Sequence, residues 1–173
     1  MRIPIAALLL AAGLAGCMTD SPDEYTPNAR DMPTPGKADW SVSESFRCDD
    51  FPVLWEVAKS QASKNGYRVD DDATTYKDRR IVTSWKIEMA VMKNDGKRRR
   101  RFVEFDEQKG TKSMWKVRVA TVRQRNVDID DPLNPMNAEW KKDEADFDDS
   151  DRVAFMIQAP FTDFGPSREF EGK

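Results

Sequence analysis

From Trp40 onward the apolar and polar positions fall into short runs whose period changes along the chain. Trp40, Val42, Phe46 and Cys48 alternate with polar neighbours, with Glu44 interrupting, which predicts a first strand over 40–48. Cys48 is then expected to face a core as a small hydrophobe. The period next becomes helical: Phe51, Leu54, Trp55, Ala58 and Ala62 form one apolar stripe. Asp49 or Asp50 can cap that helix, Pro52 is tolerated in its first turn, and Gly66 suits the left-handed C′ position. The stripe containing Trp55 reads as core and not as a platform for a ligand.

Alternation then returns. Residues 67–69 are expected to begin a short strand. Ile81, Thr83, Trp85, Ile87 and Met89 alternate with Val82, Ser84, Lys86 and Glu88. Asn94-Asp95-Gly96 is a turn signal, 98–106 looks like the returning strand, and Lys109-Gly110 marks another turn. Trp115, Val117, Val119 and Thr121 alternate with Lys116, Arg118 and Ala120. Antiparallel strands with one apolar face need a cover, and the helix over 51–65 is the obvious one. Trp55, Trp85 and Trp115 are therefore expected between helix and sheet. Residues 126–135, with Pro132 and Pro135, read as a loop. The acidic run 143–151 leads into a short helix carrying Val153, Ala154, Met156 and Ile157, which Pro160 ends. The expected fold is α+β: an antiparallel sheet of about four strands under one main helix, with a disordered N-terminal tether and a short C-terminal helix.

The N-terminus changes the picture. Arg2 precedes an almost wholly apolar run over 3–14, too short to span a bilayer comfortably and of the right length for a secretion signal. Leu14-Ala15-Gly16-Cys17 follows, and it resembles the lipobox of bacterial lipoproteins. That resemblance implies removal of residues 1–16 and attachment of diacylglycerol to the Cys17 thiol. It further implies a location in the cell envelope, and Met18, in place of Asp, favours the outer membrane facing the periplasm. Several acyl chains anchor stably, since each buried CH₂ contributes roughly 0.8 kcal/mol. The proline-containing stretch over 17–38 reads as a tether, 39–126 as the sheet and helix domain, and 127–173 as an acidic extension.

Within the domain, the helix leading to Gly66-Tyr67 and the later Ile81-Val82-Thr83-Ser84-Trp85 segment carry a second resemblance. Over 41–126 the order of elements resembles the helix-grip domains of BamC-like envelope lipoproteins. It implies a helix packed on a sheet and an accessory role in outer-membrane assembly.

Charge narrows the chemistry. Histidine is absent, which removes the commonest general base and metal ligand. With Cys17 assigned to lipid, Cys48 stands alone, and Asp49 and Asp50 beside it do not favour a reactive thiol. No cofactor or metal site is expected. The densest feature is Lys97-Arg98-Arg99-Arg100-Arg101, extended by Lys116, Arg118, Arg123 and Arg125 on the neighbouring strand. Arg98, Arg99, Arg100, Arg101, Lys116 and Arg118 are the candidates for anionic-ligand binding through charge-assisted hydrogen bonds. The competing reading is neutralisation by the chain's own acidic residues, among them Asp143, Asp146, Asp148, Asp149 and Asp151. The partners expected are a membrane through the lipid, an envelope protein, and anionic lipid headgroups, but not nucleic acid. The sequence thus points to a binding or scaffolding subunit and not an enzyme. The alternative is an envelope hydrolase with a carboxylate pair, although nothing fixes such a pair at a defined separation.

Overall fold

The computed structural model describes residues 34–90, 95–128, 133–134 and 138–162. The signal, Cys17 and most of the tether lie outside these residues. Among the described residues seven strands form one antiparallel sheet: β1 (Ser41–Val42), β2 (Phe46–Arg47), β3 (Arg80–Val82), β4 (Lys86–Ala90), β5 (Asp95–Glu107), β6 (Met114–Asn126) and β7 (Trp140–Lys142). Two helices, α1 (Phe51–Ala62) and α2 (Phe147–Gln158), accompany it. This overturns the expectation of about four strands beneath one main helix.

The reason lies in how the sheet is assembled. β5 and β6 are long, and they pair with each other from Lys97↔Arg125 to Glu107↔Trp115. Their outer edges are each completed by several short segments. β3 and β4 both pair with β5, while β1, β2 and β7 all pair with β6.

Each broken edge hides an extra residue. From Val82 to Lys86 the outer chain advances four positions while its partner moves only three, from Phe102 to Arg99. Thr83 still follows the β3 register, donating its N–H to Arg101 O at 3.0 Å, but Ser84 turns its N–H to Arg68 O at 2.8 Å. An inserted residue reverses which face the following side chains take. Ile81 therefore joins the core beneath the helices, whereas Trp85 packs against Val82 and Phe102 on the opposite face. The same slip separates β1 from β2, where Val42 pairs with Arg118 and Phe46 with Trp115. Phe46 and Cys48 enter the helix-side core, while Trp40 packs on the other face. The single strand expected over 40–48 is thus two strands facing opposite ways. Trp85 does not lie between helix and sheet, as Trp55 and Trp115 do.

The helix α1 follows its sequence signals closely. Asp50 is its N-cap and accepts from Val53 N–H at 3.4 Å, with Pro52 in the first turn. Leu54, Trp55, Ala58 and Ala62 are buried and Phe51 packs beside them. The helix ends earlier than expected. Ser63 caps it, and the left-handed residues Asn65 (φ 63°) and Gly66 (φ 82°) then turn the chain towards Tyr67, so Gly66 is not C′. Residues 67–69 form no strand, only a bridge from Val69 to Thr83. Ala90 pairs with Asp95 and Met89 with Gly96, so Asp95 and Gly96 of the turn signal belong to β5, and Asn94 lies outside the described residues.

The second helix completes the cover. Asp146 caps α2 and accepts from Asp149 N–H, while Val153, Ala154 and Ile157 join the same core as α1's stripe. Burying a side chain the size of Leu54 contributes roughly 1.5–3 kcal/mol. One helix cannot shield the full width of β5 and β6, so α2 takes β6 while α1 takes β5 and β3.

Candidate functional site

The arginine run lies along β5, and alternation divides it. Arg99 and Arg101 face the helices, whereas Arg98 and Arg100 face the open side with Phe102. Three of the four are buried: Arg98, Arg100 and Arg101 are 6%, 2% and 1% exposed.

Arg101 sits at the junction of both helices and the sheet. Its Nε donates to Asp149 Oδ2 at 2.8 Å and its Nη2 to Oδ1 at 2.6 Å, a bidentate pair. Its Nη1 donates to Ala62 O and Lys64 O, carbonyls at the end of α1. The guanidinium stacks 3.7 Å from the Tyr67 ring centre. Asp149 also accepts from Thr121 Oγ1 at 2.9 Å and Arg152 Nη2 at 2.6 Å. Burial opposes charging this carboxyl. The hydrogen bonds and field of Arg101, with Thr121 and Arg152, outweigh that and hold it below its ordinary range. Burial, reinforced by the charge of Asp149, pushes the Tyr67 phenol up to about 12. Arg99 is half-buried and pairs with Asp146, the α2 cap, at 3.0 Å, with Glu88 at 3.6 Å.

On the open face, Arg98 donates from Nε to Gln124 Oε1 at 2.6 Å. Its guanidinium lies 4.3 Å from the Trp85 ring centre and 4.6 Å from that of Trp140. Arg100 donates to Thr83 O at 2.6 Å and pairs with Asp70. Burial lowers the pKa of Arg100 against the pull of Asp70. Arg118 reaches Glu104 at 3.5 Å and lies 4.6 Å from the Trp40 ring centre. Lys116 is half-buried opposite Asp106.

The six predicted anion-binding residues are therefore brought onto one hairpin but not into one patch. Arg98, Arg100, Lys116 and Arg118 share the open face, and Arg99 and Arg101 lie behind it. Arg98, Arg100 and Arg101 spend donors on the chain's own acceptors, and Arg99 pairs with Asp146 while its Nε is buried without a hydrogen-bond partner. An incoming phosphate would have to displace Asp70 from Arg100, or Asp149 from Arg101.

What the open face offers instead is aromatic and apolar. Val82, Phe102, Ala120 and Val122 form a second buried cluster there, with Trp40, Ala73 and Trp85 packed against it. Neither α1 nor α2 covers this cluster; Trp40, Ala73 and Trp85 close over it instead. Val42 and Ile87 stand at its edges, 55% and 45% exposed. Trp140 escaped the sequence reading because β7 is only three residues long. Its value shows only when Asn126 pairs with it beside Gln124 and Arg98. Asp70 was equally hidden, since its partner Arg100 is thirty positions away.

Cys48 is buried and its thiol donates to Asp50 O at 3.1 Å; burial pushes its pKa up, which suits packing and not nucleophilic chemistry. An open depression of about 490 Å³ lies between Arg79 and the β5–β6 turn, lined by Glu107, Gln108, Lys109 and Lys112 among others. Arg79 there pairs with Glu107 at 3.0 Å and lies 4.8 Å from the Trp115 ring centre. None of the predicted site residues lines it. No protein-family model matches the chain, and no curated protein matches it.

Proposed function

We propose that this chain is an envelope lipoprotein, anchored through lipid on Cys17, that acts as a binding or scaffolding subunit. The single observation that carries the binding role is the open sheet face. A sheet face left to solvent ordinarily carries polar side chains. On this face Trp40, Ala73 and Trp85 close over the apolar cluster, and what meets solvent is the half-buried Trp40, Trp85 and Trp140 with Val42 and Ile87 exposed at the margins. Tryptophan and arginine are the residues that dominate protein–protein contacts when buried by a partner. A protein surface therefore suits the face better than a phosphate headgroup, because the guanidiniums are already occupied. The resemblance of the sequence over 41–126 to BamC-like envelope lipoproteins favours an accessory role in outer-membrane assembly.

The test is the size of the species extracted from membranes in mild detergent. The wild-type chain is expected to migrate as a complex, and Val42→Asp/Ile87→Asp as a single chain with an unchanged melting temperature. A wild-type chain that migrates alone, or a double variant that keeps its complex, contradicts the reading.

A further inference from the structure

The outer face of α2 presents what a wet helix face ordinarily avoids. Its buried side is formed by Asp149, Ser150, Val153, Ala154 and Ile157. Helical geometry of 3.6 residues per turn then sets Phe155 at the middle of the opposite side. Phe155 is 60% exposed, and Phe147 and Met156 flank it at 47% and 39%. Asp151 and Asp148 lie on the same side, one and two turns nearer the N-terminus, and are exposed. The helix's one arginine does not neutralise them, because Arg152 turns back to Asp149 at 2.6 Å. Among the described residues, neither Asp148 nor Asp151 has a cationic partner.

We infer that the Phe155 face of α2 docks a basic, apolar-striped segment of a partner protein, with Lys or Arg over Asp148 and Asp151 and apolar side chains over Phe155 and Met156. Charge selects this occupant. A second copy docked through the same face sets Asp148 and Asp151 against themselves, and like charges at an isologous interface oppose association. An anionic membrane surface is repelled for the same reason. A cationic segment is drawn to the two aspartates and removes Phe155 from water, combining steering with apolar burial. This face is separate from the open sheet face, so the inference stands or falls independently of the role assigned there.

Photo-crosslinking from position 155 tests it, with p-benzoylphenylalanine placed there in the full chain, in the cells that produce it. Peptide-level mass spectrometry is expected to find conjugates to one segment of another protein with more Lys and Arg than Asp and Glu. Asp148→Lys/Asp151→Lys should cut that yield by about tenfold, since reversing close charges across an interface slows encounter and weakens the complex. An unchanged melting temperature of the charge-reversed chain separates a docking effect from misfolding. Asp148→Asn/Asp151→Asn repeats the test without new charge and should show a smaller loss. Conjugates to an acidic segment, to a second copy, to residues of the same chain or to lipid would overturn the inference. So would no conjugate at all, or a yield indifferent to both double variants.

Discussion

Asp149→Ala is expected to be among the most damaging single substitutions in the domain. Asp149 and Arg101 are 7% and 1% exposed and meet through two hydrogen bonds of 2.8 and 2.6 Å. Removing Asp149 leaves the Arg101 guanidinium buried with only Ala62 O, Lys64 O and the Tyr67 ring. Breaking a buried pair from one side costs roughly 3–5 kcal/mol, because the surviving charge stays out of water. For a domain of this size that corresponds to roughly a 10–20 °C fall in melting temperature. Arg101→Met should cost less, since Asp149 keeps Thr121 and the half-exposed Arg152 as partners. Arg101→Met/Asp149→Leu should recover much of the loss, because neither charge remains to be solvated. Urea denaturation of the four proteins closes a double-mutant cycle, and the coupling is expected to exceed about 1 kcal/mol. An Asp149→Ala chain within about 0.5 kcal/mol of wild type would refute the reasoning, because surface changes of no structural consequence fall in that range.

Leu54→Ala, at a side chain with no exposure, should cost about 2–5 kcal/mol, and an unchanged melting curve would remove α1 from the core. The Asp149 carboxyl is depressed in the folded chain, so it contributes stability above its ordinary pKa of 3.8 that is lost as pH falls through the lower folded value. Asp149→Asn should flatten that acid limb in denaturant titrations, and an acid limb identical to wild type would count against it. Tyr67 runs the other way: its folded pKa is raised from 10 to about 12, so stability present below pH 10 is lost as pH rises towards 12. A shift of that size corresponds to roughly 2–3 kcal/mol, and Tyr67→Phe should abolish the alkaline loss. Gly66→Ala should cost about 1 kcal/mol, because φ is +82° and the added methyl would meet only Lys86 Cε at 3.6 Å; a stabilised variant would contradict this.

Local apolar patterns and the N-terminal cap of α1 were legible in the sequence, whereas its C-terminal end, read from Gly66, and events between distant segments were not. α1 could be read because Asp50, Pro52 and the Leu54, Trp55, Ala58 stripe all act within one helix. The strand around Trp115 could be read because Trp115, Val117 and Val119 alternate without a break. Trp85 was misplaced because the insertion at Ser84 reverses facing without altering the apolar count. α2 looked like an appendage because two of its buried positions, Asp149 and Ser150, are polar. Their burial is intelligible only once Arg101 and Thr121 arrive from the sheet to meet them. The arginine run was found as the candidate site, yet its sign alone pointed outward to anions. Its partners Asp70, Asp146 and Asp149 come from segments about thirty to fifty positions away, a separation that no periodicity records.

Native mass spectrometry of the chain extracted from its membranes most directly tests the claim of a lipid-anchored binding subunit, because it reads the covalent anchor and the complex together. We expect a chain lacking residues 1–16, carrying acyl mass at Cys17, and bound to a second polypeptide. A chain that retains residues 1–16 or carries no acyl mass would contradict the anchor, and an acylated chain found only alone would contradict the binding role.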